Sequence, residues 1–210
     1  MKFGLHYLMS CADTQSPVQR YRDTVEQAVR GEALGFDSVW PVEQHFNRNF
    51  SVMPAPAVLL AAIAERTTTL RLGTAIVQVA LDHPLRIAEQ IATLDVLSGG
   101  RVEFGVGRGT NPLHFSGFGV PMSESRDRFV EALYYIQAAW TNERFSFAGS
   151  YFQADDVCLV PKPVQRPHPP IRVAANSAET ATWAARGLSH LRRIERQSVA
   201  QAARARADIP

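Results

Sequence analysis

Apolar residues recur along this chain in two alternating rhythms, one of period two and one of helical period. Phe3, Leu5 and Tyr7 alternate and predict a short first strand. Ser16-Pro17-Val18-Gln19 then has the form of a helix start: a capping hydroxyl, an amide three residues on, and proline at the first helical position. Val18, Tyr21, Val25, Ala28 and Val29 follow at helical spacing, and Gly35 ends that helix. The same alternation predicts strands over residues 38–42, 70–77, 102–106 and 171–174. It predicts helices over 57–66, from Pro84 to Gly99-Gly100, through Phe129, Leu133, Ile136 and Trp140, and over 177–186. Five strands, each followed by a helix, predict a parallel sheet covered by helices. Doubly wound sheets and (β/α)₈ barrels share that signature. Residues 144–170 break the rhythm, with Phe145, Phe147, Tyr151 and Phe152 followed by five of the chain's 13 prolines. They predict an inserted hairpin and an extended arm.

Composition narrows the picture. A chain of 210 residues, 46% hydrophobic and 20% charged, suits one core and one domain. The net charge of +2 argues against a nucleic-acid or membrane partner, and it is unevenly spread. Residues 189–210 hold five arginines against Glu195 and Asp208, so they carry +3 and the rest of the chain −1. No aromatic residue interleaves with those arginines, which weakens a nucleic-acid reading further. Cys11 and Cys158 are too few for a disulfide framework and lack metal-ligand spacing. With no leader-like segment and no apolar run long enough for a bilayer, a cytoplasmic protein is the expectation.

In either parallel architecture, ligands bind at the carboxyl ends of the strands. That rule singles out residues 10–13, 43–50, 75–82, 107–117 and 176–180. Glu43-Gln44-His45-Phe46 offers a carboxylate, an amide and an imidazole together, either as a polar cluster facing a ligand or as ordinary loop chemistry. Gly105-Val106-Gly107-Arg108-Gly109 lacks the lysine and hydroxyl of a P-loop and the third glycine of a dinucleotide fingerprint. Its glycines would let the backbone approach a ligand, and Arg108 could fork two hydrogen bonds to a phosphate or sit in a salt bridge. Asn176-Ser177-Ala178-Glu179-Thr180 enters a helix directly after a strand, where free N–H groups and the helix dipole attract anions and where Ser177 also reads as a cap.

These same points carry a resemblance. Gly35-Phe36-Asp37-Ser38-Val39-Trp40 followed by Glu43-Gln44-His45-Phe46 resembles a block of the bacterial-luciferase-like flavin monooxygenases. Gly73-Thr74-Ala75-Ile76-Val77 with His83-Pro84 and Ala88-Glu89-Gln90 is similar to a second block. Leu94-Asp95, Ser98-Gly99-Gly100-Arg101 and Phe104-Gly105-Val106-Gly107-Arg108-Gly109 match a third, and Asn176-Ser177 through Thr180 with Trp183-Ala184-Ala185 a fourth. Four blocks in order, over roughly residues 1–188, are far more specific than any one alone.

The resemblance implies an α/β fold, a (β/α)₈ TIM barrel of that type, incomplete at about five of eight βα units. It implies FMN, supplied reduced by a flavin reductase, with coenzyme F420 as the alternative on the same fold. Arg108, Ser177 and Thr180 would hold the cofactor's phosphate, with Asn176, which stands where some relatives have a glutamate, also at the cofactor, and Ala75-Ile76 would lie beneath its ring, where relatives often have a non-proline cis peptide. Glu43, Gln44 and His45 would line the reaction side. A small-molecule substrate, molecular oxygen and a homo-oligomeric assembly complete the expectation. Luciferase itself has a catalytic histidine where Gln44 stands and a reactive cysteine where Gly107 stands, so light emission is not expected. The resemblance stops at Leu188. Residues 189–210 read as a divergent Arg/Ala-rich tail, the pattern that a frameshifted or prematurely ended reading frame would leave.

Overall fold

The computed structural model of the chain describes residues 1–175 and Thr182. Strands β1 (Gly4–Tyr7), β2 (Ser38–Pro41), β3 (Arg71–Gly73), β4 (Val77–Gln78), β5 (Val102–Gly107) and β8 (Ile171–Val173) form one parallel sheet. Its spatial order runs β1, β2, β3 with β4, β5, β8, so successive strands lie side by side as in a (β/α)₈ barrel. The two outer strands of the described sheet are β1 and β8. Helices α1 (Pro17–Ala33), α2 (Pro56–Ala64), α3 (Pro84–Leu97) and α5 (Ser125–Thr141) supply the crossovers. A fifth helix, α4 (Pro112–Gly117), is a single short stretch that apolar periodicity did not announce.

The run 70–77, expected as one strand, is one barrel strand in two pieces. Gly73 lies opposite Glu103 and Val77 opposite Val106, so four steps along this strand match three along β5. The extra residue is taken up between β3 and β4 as a bulge. The Ala75–Ile76 peptide lies within it and is cis. Thr74 closes the same stretch against β5, its hydroxyl donating to the carbonyl of Gly105 at 2.6 Å.

β5 is the spine of the core. Val102, Phe104 and Val106 share one face and are fully buried, and on the other face Gly105 and Gly107 are buried as well, so the strand is covered on both sides. Outside it, α3 and α5 pack together through Trp140, whose indole Nε1–H donates to the Ala88 carbonyl at 3.0 Å and whose ring meets Phe104 edge-on at 5.3 Å. The predicted apolar face of α1 needs one correction. Val18 is exposed, and Thr24, Ala28 and Gly31 are the residues buried. Thr24 can be buried because its hydroxyl donates to the Arg20 carbonyl one turn back.

The insertion is the expected hairpin and arm. β6 (Phe145–Ala148) and β7 (Gln153–Val157) pair antiparallel. The Glu131 carboxylate of α5 fixes their turn by accepting from the N–H groups of Ser150, Tyr151 and Phe152 at 2.9, 2.9 and 2.7 Å. The proline-rich arm then returns along the sheet, tied down where Gln165 donates twice to buried Asp95. The predicted helix over 177–186 lies outside the described residues. Among the described residues no helix is long and apolar enough to cross a membrane.

Candidate functional site

A cavity of about 390 Å³ opens at the carboxyl ends of the strands, within the ~300–1,000 Å³ span of ligand sites. Its walls come from four chain segments that the barrel brings together: Glu43 and Gln44 after β2, Ala75, Ile76 and Gln78 around the bulge, residues 107–111 after β5, and Ala174 after β8. Helix α5 closes one side with Arg126, Phe129 and Val130. Residues 10–13 do not join it. They line a separate shallow depression with Asn49.

The floor is open because its backbone carries little. A Cβ on Gly107 would press on Ile76 Cδ1 at 2.7 Å, and one on Gly105 would meet the Thr74 carbonyl oxygen at 1.8 Å. Glycine at these two positions lets β5 and the bulge lie in contact. Arg108 follows directly. Its side chain is exposed, lines the cavity, and makes no hydrogen bond or ion pair among the described residues. Among the described residues the salt-bridged reading finds no carboxylate partner for this guanidinium.

The structure separates the three residues of the polar cluster. Glu43 and Gln44 line the cavity, whereas His45 sits behind them, with 8% of its side chain exposed. Its ring meets Phe118 edge-on at 4.8 Å and His114 at 5.1 Å. His45 Nε2 lies 3.0 Å from Glu43 Oε1, so a hydrogen bond links the two. The other Glu43 oxygen accepts the Gln78 backbone N–H at 3.3 Å. Burial pushes the Glu43 carboxyl above its ordinary range, and the hydrogen bond from His45 offsets part of that shift.

Sequence reasoning marked segments 75–82 and 107–117 but did not single out the residues in them that hold this cluster. His114, 1% exposed on α4, lies with Nδ1 3.0 Å from Gln78 Oε1. Its Nε2 accepts the backbone N–H of His45 at 3.4 Å and lies 3.1 Å from Asn111 Nδ2. Asn111 also caps α4, accepting from the Leu113 N–H. One signal was available: Asn111-Pro112 is a capping residue followed by proline at the first helical position. Ser177 and Thr180, the other expected phosphate anchors, and Asn176, the further expected cofactor-site residue, lie outside the described residues.

Residues 1–190 match the model of the luciferase-like monooxygenases. The chain belongs to that family. Among luciferase-like solved structures it is similar to the monooxygenase RslO1 from Streptomyces bottropensis, 34% identical with a TM-score of 0.84, covering 88% of this chain and 56% of that one. It is 29% identical to the oxygenase component of a flavin-dependent trigonelline monooxygenase from Acinetobacter baylyi, over 88% of this chain and 51% of the relative. It is also 34% identical to an F420-dependent glucose-6-phosphate dehydrogenase from Amycolatopsis mediterranei, over 79% and 51%. The chain spans about half the length of the curated relatives it matches.

Proposed function

We propose that this luciferase-like chain binds FMN in the strand-end cavity and serves flavin-dependent monooxygenation of a small organic substrate. The supporting observation is Arg108, without a protein partner among the described residues, beside the glycine floor of the same cavity. That donor set fits a flavin: a cation for the phosphate, a flat and sparsely substituted floor for the ring, and polar groups at Gln44, Thr110 and Asn111 for its edge. Arg108 would hold the phosphate together with Ser177 and Thr180, with Asn176 also at the cofactor. Ala75 and Ile76 would support the ring. When bound and reduced, FMN supplies the activation of molecular oxygen, and the protein supplies binding and orientation.

The protein's own contribution on the reaction side falls to Glu43. It is a buried carboxyl on the cavity wall that holds its proton more tightly than an exposed one and is hydrogen-bonded to His45. His45 acts through Glu43, because it does not line the cavity. Gln44 presents an amide to bound substrate. A separate flavin reductase in the same cytoplasmic compartment would deliver the reduced cofactor, a reading supported by the relative described as an oxygenase component. The second reading is F420, carried by the 34% identity to an F420-dependent enzyme.

Titration of the 210-residue chain with FMN and with F420, followed by cofactor fluorescence, tests both. The expected result is saturable FMN binding at least about tenfold tighter than F420 binding. Arg108→Ala should weaken it by about tenfold to a hundredfold, the worth of a charge-assisted hydrogen bond. Tighter F420 binding would transfer the site to the second reading. No binding of either would make the chain a structural relative without the family's cofactor.

A further inference from the structure

Four residues around the cavity close a ring whose hydrogen-bond directions can be assigned without seeing a proton. At one end the donor is the backbone N–H of His45, which can only donate, so His114 Nε2 must carry a lone pair. At the other end the acceptor is the backbone carbonyl of Glu43, which can only accept, so the Gln78 atom 3.2 Å from it must be the amide nitrogen. Gln78 Oε1 therefore faces His114 Nδ1 at 3.0 Å, and the imidazole proton sits on Nδ1 and donates to it. Asn111 Nδ2 gives His114 Nε2 a second donor. Glu43 and His45 complete the ring through their own contact of 3.0 Å.

We infer that His114 is a positioning residue, which as its neutral Nδ1–H tautomer locks Gln78 and through it holds Glu43 on the cavity wall, and whose protonation in acid releases that lock. An imidazolium would point a third donor at two existing donors and has no acceptor at Nε2 to replace them. The inference rests on the cavity being the flavin site only for the meaning of Glu43; the ring itself is independent of any cofactor. The titratable and charged groups facing His114 are Glu43 and His45 from the segment after β2, with Arg108 after β5 and Arg126 of α5 lining the same cavity. Burial, and next the neighbouring His45, hold the His114 imidazole below the ordinary histidine range, in the direction the geometry requires.

The test uses the cofactor-free 210-residue chain, labelled with ¹⁵N-histidine and with ¹³C at the glutamate carboxyls. In the wild type, the His114 nitrogens should show a protonated Nδ1 and a bare Nε2 at neutral pH. The imidazole should titrate below the ordinary histidine range. His114→Gln offers a donor and an acceptor at similar reach without a charge change, and His114→Phe offers neither. The Glu43 carboxyl should titrate normally high in wild type and His114→Gln, and should fall back toward the ordinary carboxylate range in His114→Phe as water enters. An Nε2–H tautomer in the wild type would overturn the inference, and this needs no variant to fold. So would a Glu43 midpoint unmoved by His114→Phe. If FMN fails to bind while these results hold, the cofactor reading falls and the positioning role stands.

Discussion

Glu43 is the residue whose environment has the clearest consequence in solution. Its side chain is 10% exposed, and burial raises its pKa in the folded state above the value in the unfolded chain. The folded protein thus binds that proton more tightly. Stability from this group is highest in acid and declines as pH rises from the ordinary carboxylate range through the raised folded value. Each unit of displacement is worth about 1.4 kcal/mol. Glu43→Gln keeps the shape and both contacts of the neutral form. It should therefore melt at a higher temperature than the wild type near neutral pH and show a flatter dependence as pH rises above the ordinary carboxylate range. Thermal melts across that range check it; a wild-type slope in the variant would mean that Glu43 is not the group responsible. Of this cluster, the carboxylate and its two neighbours were legible as chemistry in the sequence. Which of them faces the cavity was not, since Glu43, Gln44 and His45 are consecutive or nearly so and only the turn after β2 decides which way each points.

The bulge between β3 and β4 gives the element-scale lesson. Alternation in 70–77 predicts a single strand, and hydropathy has no means of showing that one residue is surplus. The surplus becomes visible only against β5, where Gly73 and Val77 find their partners. Two glycines of β5 that face the bulge are expected to respond differently to the same substitution. A methyl on Gly105 meets backbone, the Thr74 carbonyl oxygen at 1.8 Å, and backbone held in a ladder cannot step aside. Gly105→Ala should cost about 3 kcal/mol or more in a urea melt, the upper part of the overpacking range. A methyl on Gly107 meets the movable tip of Ile76 at 2.7 Å. Gly107→Ala should fold with a loss of about 1–2 kcal/mol, while Ile76, displaced into the cavity, lowers FMN affinity. Equal destabilisation by both would show that the bulge is not a rigid partner for β5. Helix α4 is the element the periodicity missed, because six residues with one buried face are too few to establish a helical period.

For the molecule as a whole, the side-by-side order of strands is what creates a site. Residues 43, 76, 108 and 174 are far apart in sequence and meet only because 43, 108 and 174 each follow a strand of one parallel sheet and 76 lies in the bulge of another of its strands. The outer strand β1 has one hydrogen-bonded neighbour among the described residues, and its Gly4 and His6 are exposed. An edge of that kind pairs readily with another chain. Sedimentation velocity over a wide concentration range should show reversible self-association of the 210-residue chain, and a single monomeric species at every concentration would refute it. The expected homo-oligomer is thereby a property to measure in solution.

The rhythm of apolar residues was enough to announce five parallel strands, the crossover helices and the hairpin insertion, because each is encoded by local period and by the turn residues that bound it. Four ordered blocks were enough to place the chain in its family and to point to the strand ends, since a parallel sheet puts ligands there whatever its details. Folding alone decided that Arg108 has no protein partner among the described residues, that His45 stands behind Glu43, and that His114 and Gln78 join them in a closed ring. Apart from the His45–Glu43 contact, between residues two positions apart, the links of that ring join residues 35 to 69 positions apart. Their hydrogen bonds have direction, and a direction exists only once the backbone groups at both ends have been fixed in space.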